Sequence, residues 1–258
     1  MLGRVIGKGT RMSGTEAERY RNETAVGAGV WNALTDEARR QELSHWRGIG
    51  KWADDTKWLG VGARSFKIIG RILRDQKVHR NFWSEKKTIL EWGPGGGSNA
   101  FAFRDVAENY YGVDIAEKNL AEAARVVNEG GAGPFRPILL ADAPQSVPAR
   151  LGAPVDLFLS TAVFQHFPSK EYGVEVLKAI ADASRPGAFG FIQIRYDDGS
   201  KRFRANASVG DYSSRYIVAT TYTIEEFWNL CASSGLKVLY VTDLNPKVKY
   251  VTFSLVKM

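Results

Sequence analysis

Residues 88–99, Thr-Ile-Leu-Glu-Trp-Gly-Pro-Gly-Gly-Gly-Ser-Asn, constrain this chain more than any other segment. A short apolar run enters a turn with four glycines, and a helical pattern follows from about Asn99. Glycine lets the backbone turn sharply and lets another group approach the main chain closely. Strand, glycine turn and helix in that order fit the carboxyl edge of a parallel sheet, where nucleotide-like ligands bind. A purely structural tight turn also fits the glycines taken alone. No Lys-Ser/Thr follows them, so the turn is not a phosphate loop for a nucleoside triphosphate.

The surrounding pattern agrees with a parallel sheet. Apolar runs at 88–92, 110–113, 137–140, 155–160 and 189–195 alternate with helical stretches, which predicts helices on both faces of the sheet. Runs at 238–242 and 251–256 follow one another through Asp243-Leu244-Asn245-Pro246, a turn that predicts an antiparallel hairpin. The first third reads as helical. A helix opens near Thr35, with Asp36 and Glu37 at its positive end. Another spans 65–79, where Phe66, Ile69, Ile72 and Leu73 make an apolar stripe and Arg64, Lys67, Arg71 and Arg74 a basic one. Residues 1–12 read as a loose basic tail, and the Ser/Gly/Asp-rich insert at 197–221 reads as a lid with a second basic cluster, Lys201-Arg202-Phe203-Arg204.

At 258 residues the chain has room for one large domain with an appendage. Its single cysteine, Cys231, excludes an intramolecular disulfide, a cysteine-rich zinc site and an iron–sulfur cluster. Histidines and acids show no metal-ligand spacing. No apolar run reaches the length of a membrane span and no signal peptide is evident, so the expected compartment is the cytoplasm. The net charge of +7 lies wholly in residues 1–86, which hold 17 basic and 10 acidic residues against 18 of each afterwards. This points to two parts, 1–86 and 87–258, with an anionic partner or substrate near the first.

Two acids sharpen the ligand reading. Glu91 ends the first strand, where it would repel a pyrophosphate but accept hydrogen bonds or pair with an ammonium. Asp114 ends the second, 17 positions beyond Gly97, where a ribose-binding acid is expected. Here the chain resembles the class I S-adenosylmethionine-dependent methyltransferases over roughly 87–258. The family's acidic-x-Gly-x-Gly-x-Gly motif is matched at Glu91, Gly93, Gly95 and Gly97, its ribose acid at Asp114 and its adenine-side acid at Asp142. Its fourth motif is matched from Val155 through Ser160, Thr161 and Phe164 to His166, and its turn into the fifth strand at Arg185-Pro186-Gly187. The resemblance implies a doubly wound α/β Rossmann-like sheet with an antiparallel final strand under an N-terminal helical cap. It implies S-adenosylmethionine as cofactor, held by the motif residues together with Asn99, Ile115 and Ala143. Nicotinamide dinucleotide enzymes share the turn and the ribose acid but not Glu91. A non-catalytic binding module stays open.

For the acceptor, Ser160 to Phe164 lacks the Asn/Asp-Pro-Pro-aromatic pattern of nucleobase amine methylation, which argues against base N-methylation though not against nucleic acid in general. Nucleic acid is not the expected partner because no base-readout or stacking motif is evident. The segment resembles enzymes that methylate small molecules, which implies O-methylation of a sugar or secondary metabolite; RNA- or protein-modifying enzymes are the alternative. His166 suits a general base, or else packs against its loop and holds Asp156 or a carbonyl. Phe164, Gln193, Arg195 and Tyr196 are candidates for the acceptor pocket, and His45 and Trp46 are the cap's candidates within a region holding five of the seven tryptophans. The basic stripe of Arg64, Lys67, Arg71 and Arg74 reads as a solvated face or an anion-binding one.

Overall fold

The computed structural model describes residues 14–34, 36–129, 131–206 and 208–258. The expected tail at 1–12 and Thr35 lie outside them. In chain order come helices α1 (Gly14–Asn32), α2 (Glu37–Leu43), α3 (Asp55–Asp75) and α4 (His79–Phe82), then β1 (Lys87–Trp92), α5 (Ser98–Phe103), β2 (Ala107–Asp114) and α6 (Glu117–Asn128). They continue with β3 (Phe135–Leu139), β4 (Val155–Ser160), α7 (Lys170–Ala183), β5 (Ser184–Arg195), α8 (Tyr212–Arg215), α9 (Ile224–Ser233), β6 (Leu236–Asn245) and β7 (Tyr250–Lys257). Each expected apolar run is a strand. The sheet order is β3-β2-β1-β4-β5-β7-β6. β1 to β5 are parallel, and β7 enters antiparallel between β5 and β6. The order reverses between β1 and β4, and such a switch point opens a crevice at the carboxyl ends of the strands.

Side-chain alternation splits the core in two. Leu90, Trp92, Phe158 and Ile192 face α7 and α9, meeting Val176, Ile180, Phe227 and Cys231. Ile89, Tyr110, Leu157 and Phe191 face the other way, against Ile69, Ile72 and Leu73 of α3, Phe103 of α5 and Ala123 of α6. Packing therefore does not divide at residue 86: α3 is a layer of the sheet domain, and only α1 and the segment around α2 lie over the strand ends. Helix α3 begins ten residues before the apolar stripe that predicted it, because Asp54 caps it through Thr56 N–H. Its first turns bury Trp58, Gly62 and Ser65. A glycine and a serine carry no hydrophobic signal, but Gly62 is where the helix touches α5. A Cβ there would lie 2.6 Å from Ala102 Cβ.

The basic stripe lies on this layer helix, away from the crevice. Arg64, Lys67 and Arg74 are exposed, and Arg64 meets Asp243 at 3.6 Å.

Candidate active site

A cavity of about 320 Å³ occupies the crevice. Turns after β1, β2 and β4 form its floor, and α1 with residues 43–45 its roof. Gly93, Gly95 and Gly97 all have positive φ, at 75°, 51° and 81°. Gly93 and Gly95 line the cavity. Their neighbours show a second demand. A Cβ on Gly95 would meet Ser44 O at 2.5 Å, and one on Gly96 would meet His45 O at 2.5 Å. Gly96 N–H donates to Ser44 O at 2.6 Å. The cap loop thus rests directly on the glycine turn. Gly97 is not in the cavity wall; it caps α5 and lies against Ala123 of α6.

Glu91 requires a correction: its carboxylate does not reach the cavity. In β1 it shares the face of Ile89, so it points under α5 rather than out of the strand end. It is fully buried, accepting from Asn99 Nδ2 at 2.6 Å and Tyr110 Oη–H at 2.7 Å. Burial raises its pKa to about 7, against the two donors, which favour the charged form. Its role is to place Asn99, which lines the cavity and also donates to Thr161 Oγ1 at 3.0 Å.

Asp114 does face the cavity, beside Ile115. Its Oδ1 accepts from Ala116 N–H at 2.9 Å, and Oδ2 meets Asn119 Nδ2 at 3.4 Å. Burial raises its pKa to about 6, with nearby N–H donors pulling it down. Trp46 is not part of the cavity wall. Its Nε1–H donates to Asn119 Oδ1 at 3.0 Å, so the cap steadies the acid's neighbour.

Asp142 and Ala143 also lie outside the cavity wall. Asp142 Oδ1 takes Arg21 Nε–H of α1 at 2.9 Å and its own neighbour Ala143 N–H at 2.8 Å. Those bonds hold its pKa below the usual carboxylate range, Arg21 contributing most. Ser160 is buried, donating to Trp92 O at 3.0 Å, and only Thr161 of that pair reaches the cavity.

The other end of the cavity is built from the β4, β5 and β7 side. His166 Nδ1 lies 2.9 Å from Tyr216 O, which can only accept, so Nδ1 carries the proton and Nε2 the lone pair. Burial, then the charge of Arg195, lowers its pKa to about 4 against the pull of that carbonyl. Asp156, the other expected partner, instead takes Thr88 N–H and Arg185. Arg195 lines the cavity and donates through Nη2 to Tyr250 Oη at 3.0 Å. Gln165 Nε2–H donates to the same oxygen at 3.1 Å. His45 lines the roof; burial, then Lys51, holds its pKa near 4.

Three acceptor candidates are displaced by packing. Phe164 is wholly buried among Phe167, Tyr222 and Phe227. Gln193, two residues before the end of β5 and opposite Thr252, is not part of the cavity wall. Tyr196 is outside the cavity wall: its backbone bridges to Tyr222 and its ring lies under the Lys249 ammonium. Sequence reasoning did not single out Tyr212, Tyr250, Gln165 and Asn119, and it left Trp31 among the cap tryptophans. Trp31 meets the His166 ring edge-on at 5.2 Å and donates to Tyr212 Oη at 3.2 Å. Tyr212, from the insert, donates in turn to His166 O at 2.8 Å. Tyr250 had no local signal: it lies opposite Arg195 because β7 pairs with β5, from which the insert, α9 and β6 separate it in the chain.

Among the described residues no cluster of His, Cys, Asp and Glu could hold a metal ion. Residues 90–192 match the methyltransferase domain family. No curated relative matches the sequence. Three solved structures share the fold at low identity. Magnesium protoporphyrin IX methyltransferase from Synechocystis PCC 6803, with bound S-adenosylmethionine, has TM-score 0.60 at 14% identity, covering 97% of this chain and 100% of its own. The 1,6-didemethyltoxoflavin-N1-methyltransferase of Burkholderia thailandensis, with its substrate and S-adenosylhomocysteine, has TM-score 0.61 at 16% identity, covering 99% and 98%. Mitomycin 7-O-methyltransferase has TM-score 0.57 at 19% identity, covering 93% and 67%.

Proposed function

We propose that this chain, whose residues 90–192 match the methyltransferase domain family, is an S-adenosylmethionine-dependent methyltransferase that acts on a hydroxyl of a small molecule, such as a sugar or secondary metabolite. The observation that carries this reading is one bounded cavity spanning the switch point, with Asp114 and the glycine turn at one end and His166, Arg195 and Tyr250 at the other. From β2 to β5 is three strand spacings, roughly 14 Å, enough to seat cofactor and acceptor side by side. The roof of α1 and the Tyr212 insert favours a small acceptor over a polymer.

The residues fit the cofactor. Asp114 lines the cavity, and the Asn119 contact on its Oδ2 is a long one at 3.4 Å, a carboxylate disposed to take ribose hydroxyl donors. Gly93 and Gly95 present main chain free of side-chain bulk. S-adenosylmethionine, when bound, supplies a methyl group on a sulfonium, already a strong electrophile. The protein's contribution is to align the acceptor, exclude water and receive a proton. His166, neutral with its lone pair on Nε2, is our candidate to accept the hydroxyl proton; Gln165 Nε2 lies 3.3 Å from that nitrogen and would have to yield to the acceptor. A base with so low a pKa stays unprotonated throughout the physiological range but takes the proton only as the new bond forms.

Calorimetric titration with S-adenosylhomocysteine tests the cofactor reading, with NADH and NADP⁺ as controls. Binding of S-adenosylhomocysteine alone is expected. Binding of a nicotinamide cofactor in its place would overturn the reading. Hydroxylated acceptors are then screened for turnover, and His166→Ala is expected to lower kcat by about 10²–10⁴-fold if the histidine is the base.

A further inference from the structure

We infer that the acceptor carries a carboxylate, and that Arg195 is the residue that selects it; this rests on the acceptor lying at the His166 end of the cavity. Arg195 ends β5 with its guanidinium in the cavity wall, 4.9 Å from the Tyr250 ring centre and 5.4 Å from that of Phe203. Nη2 is satisfied by Tyr250 Oη, while Nε is buried with no hydrogen-bond partner. Among the described residues no carboxylate lies within ion-pair distance of it. The acids next in the chain and the remaining acid of the cavity wall have other partners. Asp198 is taken by Lys249 at 2.7 Å, and Asp197 Oδ1 by Gly199 N–H at 2.7 Å. Glu23, the other acid in the cavity wall besides Asp114, is held by Arg19 and by Ser169 Oγ–H.

A half-buried guanidinium without a counter-charge is costly, because the water it has lost is replaced only by one neutral hydrogen bond and two aromatic rings. Its flat fork of donors matches the two oxygens of a carboxylate, and the aromatic rings on either side hold the fork in place. Gln165 and His166 crowd the same end with neutral groups only. The cavity wall therefore holds a fixed, uncompensated positive charge at Arg195, beside His166; the other cation in the wall, Lys51, lies in the roof over the Trp52 ring. A hydroxylated, mostly apolar acid would match both: its hydroxyl to His166, its carboxylate to Arg195.

Benzoate, benzamide and phenyl phosphate serve as probes, titrated against the full chain with and without S-adenosylhomocysteine and read by ligand-observed NMR. Benzoate is expected to bind about tenfold tighter than its neutral isostere benzamide. Arg195→Gln is expected to erase that preference while leaving S-adenosylhomocysteine affinity and the melting temperature near the unmutated values; Arg195→Lys is expected to restore part of it. A merely structural role would weaken both probes alike. Equal binding of benzoate and benzamide by the unmutated protein overturns the inference without needing any variant. So does a preference that survives Arg195→Gln. Tighter binding of phenyl phosphate than of benzoate overturns the carboxylate assignment. If S-adenosylhomocysteine does not bind, the cofactor reading fails, and the benzoate series on the unliganded protein still decides the role of Arg195.

Discussion

At the scale of single residues, two buried acids do different work. Glu91 is a strut: both oxygens are spent on Asn99 and Tyr110. Its folded pKa, about 7, lies above the usual 4.5, so the folded protein keeps a proton that the unfolded chain releases. The stability it contributes is present below pH 4.5 and is lost as pH rises through 7. Glu91→Gln keeps the shape without the charge. Its unfolding free energy, read from thermal melts, is therefore expected to match the parent near pH 5 and to exceed it at pH 8 by a few kcal/mol at most; a drop at pH 8 would count against a desolvated carboxylate. Asp114 is a ligand-facing acid with a pKa of about 6. Ribose hydroxyls donate to its charged form. Affinity for S-adenosylhomocysteine is therefore expected to be flat above pH 6 and to fall by up to about tenfold per unit below it. Asp114→Ala should cost roughly 1.5–3 kcal/mol for each charge-assisted bond removed. Asp114 was legible from the sequence because it ends a strand at a known interval from the glycines. The inward aim of Glu91 was not: the motif gives a position in the chain, while the pleat and the helix laid over it decide where the side chain goes.

At the scale of elements, the glycine turn answers to two partners, the cavity and the cap loop. Gly96 has no positive φ, and what forbids a side chain there is the backbone of His45 and Trp46. Gly96→Ala is expected to destabilise the fold by about 1–3 kcal/mol and to weaken S-adenosylhomocysteine binding together with it, checked by melting and calorimetry. An alanine tolerated without loss would mean the cap loop does not rest on the turn. Helix α1 is tied down through Tyr212, whose hydroxyl accepts from Trp31 and donates to His166 O. Tyr212→Phe leaves the Trp31 indole without that acceptor and should cost about 1–3 kcal/mol in thermal stability. Its larger effect should fall on KM for the acceptor, since Trp31 forms part of the cavity wall. The sequence placed the strands well because apolar runs bounded by turns are a local signal. It placed α3 too late, because the helix starts with a cap and small contact residues rather than an apolar stripe.

At the scale of the whole molecule, the positively charged first third is not one body. Helix α3 joins the sheet, while α1 and the α2 loop roof the crevice. Ligand binding should therefore stiffen parts of the chain far apart in sequence. With S-adenosylhomocysteine at 100 times its Kd, unfolding is expected to cost about 2.7 kcal/mol more. Amide exchange should slow in α1, around residues 43–46 and after β1 and β2, and little in α9 or β6. Protection confined to the glycine turn would show that the roof does not take part in binding.

What the sequence determined by itself was the α/β alternation, the closing antiparallel hairpin, the glycine turn and Asp114, since each is written in a short contiguous stretch. What only the tertiary structure decided was which candidates share one cavity. Phe164, Asp142 and Glu91 stand at motif positions yet point into the core or toward Arg21, and Gln193 stays out of the cavity wall. Trp31, Tyr212 and Tyr250 enter from three distant segments that no local pattern links. A side chain's direction depends on the pleat it sits in and on what packs across it. Both are set by contacts far apart in the chain.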